Sequence, residues 1–154
     1  MSKDTGKVIA SNKKAYFNFE ITEKIECGIV LEGAEVKSLR AGNMNLQDAY
    51  IRIDRGEMWM MGGYIAPFKQ GGQFTEIDTR RTRKLLAHKK EIEKLQSKVE
   101  EKGLTLMPLK VYFKGNNIKV AVCLARSKKQ HDKRRSIKER EQKREMDRAR
   151  KRFI

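Results

Sequence analysis

The chain reads as a mainly β body with inserted helices, followed by a basic tail that has no core of its own. Three observations predict this. Apolar and polar residues alternate with period two over 25–31 and again over 118–125, as half-buried strands require. Short Gly-containing loops, Asp54-Arg55-Gly56 and Lys114-Gly115-Asn116-Asn117, separate runs of this kind and signal hairpins. From Ser127 onward the apolar residues thin out to Ile137, Met146, Ala149, Phe153 and Ile154.

Residues 6–31 are expected to form two or more strands. Tyr16, Phe17 and Phe19 are followed by Ile21, and then Ile25, Cys27, Ile29 and Leu31 alternate with Glu26, Gly28 and Val30. Glu32-Gly33 break the run. A short helix is expected over 34–41, with Val36 and Leu39 on one face and Gly42 just past its end, where a residue without Cβ turns the chain. A strand at 48–53 turns through Asp54-Arg55-Gly56 into 57–65, and 67–79 form a polar loop. A second helix is expected from Asp78 or Thr79, with Leu85, Ile92, Leu95 and Val99 as its apolar stripe and Gly103 as its end. Strands at 105–113 and 118–125 follow. In the latter, Ile118, Val120, Val122 and Leu124 face one way and Lys119, Ala121 and Cys123 the other. Six or seven short strands with helices between them suit a small closed or partly open barrel, OB-like, whose open face binds nucleic acid. The expected division is a barrel at 1–125 and a tail at 126–154. The tail has good helix formers and no Gly or Pro after Arg126. Without a face to bury it is expected to be disordered when free and to become helical on a polyanionic surface.

Charge points to the same class of partner. Lys and Arg total 36 against 20 Asp and Glu, for a net charge of +16. Residues 125–154 alone carry 14 Lys/Arg against 5 Asp/Glu, so more than half of the surplus sits in the last fifth of the chain. A surplus of this kind favours nucleic acid over a membrane. The opening MSKDTGKVIA has no apolar h-region, and no run is long enough to span a bilayer, so a cytoplasmic location is expected. Cys27 and Cys123 lie in apolar strand contexts and read as buried free thiols. With two Cys and two His, neither a metal site nor a cofactor is expected. Phosphate-loop, nucleophile-elbow and H-E-x-x-H motifs are absent from the sequence. His88 and His131 would serve as a ribonuclease pair only if the tail folded back, so a non-enzymatic binding protein is the preferred reading.

Two basic runs are candidate phosphate sites. Arg80-Arg81-Thr82-Arg83-Lys84 is expected at the start of the second helix, where positive charge opposes the macrodipole and helix stability does not explain it. Lys128-Lys129-Gln130-His131-Asp132-Lys133-Arg134-Arg135 sits at the hinge between barrel and tail.

Four segments in order carry a specific resemblance: Asn12-Lys13-Lys14-Ala15, the run Gly33-Ala34-Glu35-Val36-Lys37-Ser38-Leu39-Arg40-Ala41-Gly42, the run Arg81-Thr82-Arg83-Lys84-Leu85-Leu86, and Lys128-Lys129-Gln130-His131-Asp132-Lys133-Arg134. Together they resemble the SmpB family, the SsrA-binding proteins of bacterial trans-translation. Ala87-His88 and Arg135 are small departures. The resemblance implies an OB-like barrel that binds the tRNA-like domain of tmRNA and delivers it to stalled ribosomes. The tail would become helical in the vacant mRNA channel beside the decoding centre. The elongation factor that carries aminoacylated tmRNA would be a further partner. The alternative reading is a ribosomal or ribosome-assembly protein with an rRNA-binding tail.

The RNA-binding candidates are Asn12, Lys13, Glu26, Arg81, Arg83, Lys84, Leu86, Lys119, Lys128 and Lys129. Of these, Asn12, Glu26, Leu86 and Lys119 match the family's tmRNA-contacting surface. Lys119 points away from the apolar face of its strand and suits a phosphate. Asn12 suits a base edge or 2′-OH. Glu26 either accepts from a base amino group or 2′-OH, or holds a neighbouring Lys or Arg. Leu86 either packs on a base or ribose, or is a second core leucine. The ribosome-facing tail candidates are His131, Asp132, Lys133, Arg134, Ile137 and Lys138, with Asp132 ordering the cations beside it. No catalytic or metal-ligating residue is assigned.

Overall fold

The structure, a computed structural model, describes residues 5–70, 73–74, 78–128 and 140–145. Strand β1 (Thr5–Ser11) leads into helix α1 (Lys13–Asn18), which hands over directly to the long β2 (Phe19–Ile29). Helix α2 (Gly33–Arg40) and the short β3 (Met44–Asn45) precede the hairpin of β4 (Tyr50–Asp54) and β5 (Glu57–Met61). Short strands β6 (Tyr64–Ile65), β7 (Lys69–Gln70) and β8 (Gln73–Phe74) come next, then β9 (Arg83–Leu86) and helix α3 (Lys89–Lys102). The hairpin of β10 (Thr105–Lys114) and β11 (Asn117–Ser127) completes the body.

Among the described residues the main sheet has seven strands in the order β1-β10-β11-β2-β9-β5-β4, and each adjoining pair is antiparallel. It curls so that β4 lies back against β10, which gives the mainly β, OB-like barrel with inserted helices that the alternation predicts. The β4–β5 turn places Arg55 and Gly56 at φ +51° and +76°, the left-handed pair that a two-residue hairpin needs. Gly42 follows α2 at φ +80° and its N–H donates to the Leu39 carbonyl at 2.9 Å, as expected of a residue that closes a helix.

The inner face holds the main core. Cys27, Met58, Met60, Leu85, Val111, Val120, Val122 and Leu124 meet there, and α3 closes it with Ile92 and Leu95. A smaller cluster lies on the outer face, where Ala15 of α1 packs with Leu109, Tyr112, Ala121, Cys123 and Ala125. Strand β11 thus feeds alternate residues to two cores. The outward ones are small over 121–125, which lets α1 approach the sheet. Cys27 and Cys123 are buried free thiols on opposite faces. Burial, the main cause in each case, pushes the two thiols up to about 12 and about 11.

Two expectations are corrected. Residues 13–18 are a helix within the span read as strands, because Asn12 caps it and Ala15 buries its inner side. The segment read as the first turns of the second helix is strand β9, and α3 begins only at Lys89. Residues 140–145 are helical. Among the described residues no helix is long and apolar enough to cross a membrane.

Candidate RNA-binding surface

One cross-strand row organises the outer face. Tyr112 of β10 pairs with Lys119 of β11, Lys119 with Gly28 of β2, and Gly28 with Leu86 of β9. Directly paired residues share a face, so these four side-chain positions lie abreast. Leu86 spreads over the Gly28 backbone: a Cβ at residue 28 would stand 3.3 Å from Leu86 Cβ. Leu86 is itself 51% exposed, which removes the core-leucine alternative. Leu86 and Lys119 line a shallow cleft of about 330 Å3 with Val36, Asn116, Asn117 and Ile118. The cleft offers an apolar floor, side-chain amides and a cation, a combination that suits a ribose or base beside its phosphate.

Glu26 stands two residues before Gly28 on the same face. The Tyr112 hydroxyl donates to its Oε2, and Lys114 Nζ donates to its Oε1 at 2.9 Å. The Tyr112 bond, then that of Lys114, hold the Glu26 carboxyl below the usual carboxylate range. Burial, then the bond to Glu26, raise the Tyr112 hydroxyl. Of the two roles considered for Glu26, the structure displays the second, since it fixes a neighbouring lysine at the edge of the surface. Tyr112 and Lys114 were not singled out from sequence. The pairing of Tyr112 with Lys119 across the 114–117 hairpin was the available signal.

Asn12 is only 4% exposed. Its Oδ1 accepts from the Ala15 N–H at 3.3 Å, and its Nδ2 donates to the Pro108 carbonyl at 3.1 Å. The expected contact of this side chain with a base edge is therefore corrected: Asn12 caps α1 and ties it to β10, while the adjacent Lys13 is exposed. Arg83 is corrected likewise. It is fully buried, with Nε donating to Glu35 Oε2 at 2.5 Å and Nη1 to the Gly63 carbonyl at 2.8 Å. Arg81 donates to the other Glu35 oxygen at 2.6 Å. Glu35 also accepts from the Glu32 N–H at 2.9 Å, as the third residue of a capping box on α2.

The basic run therefore does not crown a helix, and the macrodipole argument for it lapses. Its alternate residues point inward as Arg83 and Leu85 and outward as Lys84 and Leu86. Lys84 bonds Glu57 at 3.2 Å and remains partly exposed. Glu35 was missed from sequence, although Glu at the third position of a helix is a recognisable capping signal. Lys128 lies where β11 ends against α1, its N–H on the Asn18 carbonyl at 3.0 Å. Lys129, His131, Asp132, Lys133, Arg134, Ile137 and Lys138 lie outside the described residues. Among those described, no group of three His, Cys, Asp or Glu side chains is placed to hold a metal.

Comparison with known proteins identifies the family. The family model described as SmpB protein matches residues 9–152. The SsrA-binding protein of Bacillus cytotoxicus is 52% identical over 149 residues, covering 97% of this chain and 96% of its own length. That of Thermosynechococcus vestitus is 53% identical over 146 residues, covering 95% and 96%. Among solved structures, a chain described as tmRNA-SmpB on a journey to the center of the bacterial ribosome superposes with a TM-score of 0.65 at 47% identity. That match covers 78% of this chain and 84% of the other. The chain belongs to the SmpB family.

Proposed function

We propose that this protein binds the tRNA-like domain of tmRNA through the outer face of β2, β9 and β11 and delivers it to stalled ribosomes for trans-translation. The observation that carries the reading is Leu86, exposed and laid over Gly28 beside Lys119. An exposed leucine beside a cation and two side-chain amides suits a ribose or base with its phosphate. The SsrA-binding relatives and the tmRNA-SmpB structure support the same partner. On this reading the protein is a cytoplasmic binding factor, not an enzyme. Aminoacylated tmRNA and its elongation factor accompany it, and residues beyond Lys128 enter the vacant mRNA channel.

The test is binding to the isolated tRNA-like domain against bulk tRNA, with sequencing of the RNA that the tagged protein captures from a bacterial lysate. Preferential capture of tmRNA is expected. Equal affinity for both RNAs, with rRNA as the main captured species, would favour the ribosomal-protein alternative instead.

A further inference from the structure

The outer face continues past Leu86. Two residues back along β9, Lys84 lies on the same side, about 7 Å away along the strand. The register sets Trp59 of β5 opposite Lys84, and Arg52 of β4 opposite Trp59. The next rung pairs Tyr50 with Met61. Tyr50 is 49% exposed, Arg52 is exposed and Trp59 is half-buried. Arg52, Asp54, Trp59, Met61 and Thr82 line an open cleft of about 300 Å3. This is where the one tryptophan of the chain sits. The inward side chains of the same strands, Ile51, Met58 and Met60, already supply the core, so the core does not call for an indole on this side.

We propose that Trp59, with Tyr50 and Met61 beside it and Arg52 at the rim, is a stacking subsite for one unpaired base of the RNA that occupies the Leu86–Lys119 surface. An aromatic face with a cation on each side is the arrangement that holds single-stranded nucleic acid, the base on the ring and the phosphate on the cation. Lys84 is shared with Glu57, which leaves Arg52 as the principal phosphate donor. Asp54 in the same cleft carries a carboxylate. It repels phosphate but accepts from a 2′-OH or an exocyclic amino group, which favours a ribonucleotide seated with its sugar toward that residue. Because Lys84 and Leu86 share one strand and one face, a single RNA strand runs across both clefts. The subsite rests on the tmRNA reading above.

The position of Trp59 makes the test direct, because its emission reports this cleft alone. The full-length protein is titrated with the isolated tRNA-like domain while indole fluorescence and filter retention are followed together. Quenching that saturates with retention is expected. Trp59→Leu should lower affinity by roughly tenfold with an unchanged circular dichroism spectrum, and Trp59→Phe should keep most of it. Arg52→Gln, on an exposed side chain, should reduce the salt slope of binding by about one. Unchanged emission at full retention, with wild-type affinity in Trp59→Leu and Arg52→Gln, overturns the subsite and leaves the tmRNA reading standing. Loss of ribosome association in these variants with RNA affinity intact also overturns it, and points to a protein partner for the patch. No preference of the wild-type protein for this RNA overturns both readings.

Discussion

Arg83 and Glu35 form an ion pair wholly inside the protein, Nε 2.5 Å from Oε2, with side chains 0% and 1% exposed. The pair joins β9 to α2 across 48 residues of sequence. A buried charge that loses its partner is strongly unfavourable, by about 3–5 kcal/mol. Glu35→Gln is therefore expected to lower unfolding free energy by that amount, measured by urea denaturation. Arg83→Ala should unfold the body in the same way. Its loss of RNA binding should track its loss of native circular dichroism, where a surface phosphate contact would lower the salt slope of a folded protein.

The same pair sets a pH dependence. Burial alone would raise the Glu35 carboxyl, but bonds from Arg81, from the Glu32 N–H and from Arg83 outweigh it and hold it below its ordinary value of 4.5. Because the folded value is depressed, the stabilisation is fully present above the unfolded value and is lost as pH falls through the folded one. Urea midpoints should fall as pH drops below the ordinary carboxylate value of 4.5 in the wild type and fall less steeply in Glu35→Gln. Parallel acid limbs in the two proteins would show that Glu35 is not the group concerned.

Much of the barrel was legible because its strands obey simple alternation. Ile118, Val120, Val122 and Leu124 face the main core as their spacing requires, and the hairpin turn at Arg55-Gly56 lies where its residues signal it. Strand β9 was misread for a physical reason. Leu85 lies seven residues before Ile92, so it extends the α3 stripe and mimics a helix. Its own period of two is hidden because one of the two inward residues is an arginine. Only Glu35, far back in the chain, makes that arginine buriable. Asn12 misled in the opposite direction. Local sequence marks it equally well as a cap or as an RNA reader, and only Pro108, 96 residues away, decides. Lys119 is legible as an outward position because it alternates with Ile118 and Val120, whereas Leu86, read on a helix, stays open between core and surface until β9 places it outward at 51% exposed.

On the proposed RNA surface, stability and binding should separate cleanly. Leu86→Ala removes an exposed side chain and should change unfolding free energy by no more than about 0.5 kcal/mol, yet weaken capture of the tRNA-like domain. Lys119→Ala should lower both affinity and the salt slope, the latter by about one.

Glu26 gives a sharper diagnostic. Glu26→Gln removes negative charge beside RNA, which by electrostatics alone would tighten binding. Because Glu26 fixes Lys114 and Tyr112, affinity should instead fall, as measured by filter retention at several salt concentrations. A rise in affinity would mean that this carboxylate only repels phosphate.

The proposed role of the tail rests on helix formation induced from outside. Residues 127–154 carry cations on every side of a helical projection and no apolar stripe. Over 140–145 the chain is helical, and Arg140 stands 5.3 Å from the Phe17 ring of α1, a contact worth about 0.5–1 kcal/mol at an exposed site. Ordering backbone costs on the order of 1–2 kcal/mol per residue, so one such contact does not hold a long helix. A dense set of phosphates along an rRNA-walled channel would, and a channel filled by message would not offer them. Truncation after Lys128 should therefore leave capture of the tRNA-like domain intact and abolish ribosome rescue. Arg144→Pro removes an N–H that a helix over 140–145 uses and clashes with the turn before it, so it should block rescue while Arg144→Gln, which loses the same charge, largely retains it. A peptide of residues 127–154 should give a coil-like circular dichroism spectrum in buffer and gain helix on adding a stalled ribosome. Full rescue by Arg144→Pro would show that charge without a helix is enough to distinguish an empty channel from an occupied one.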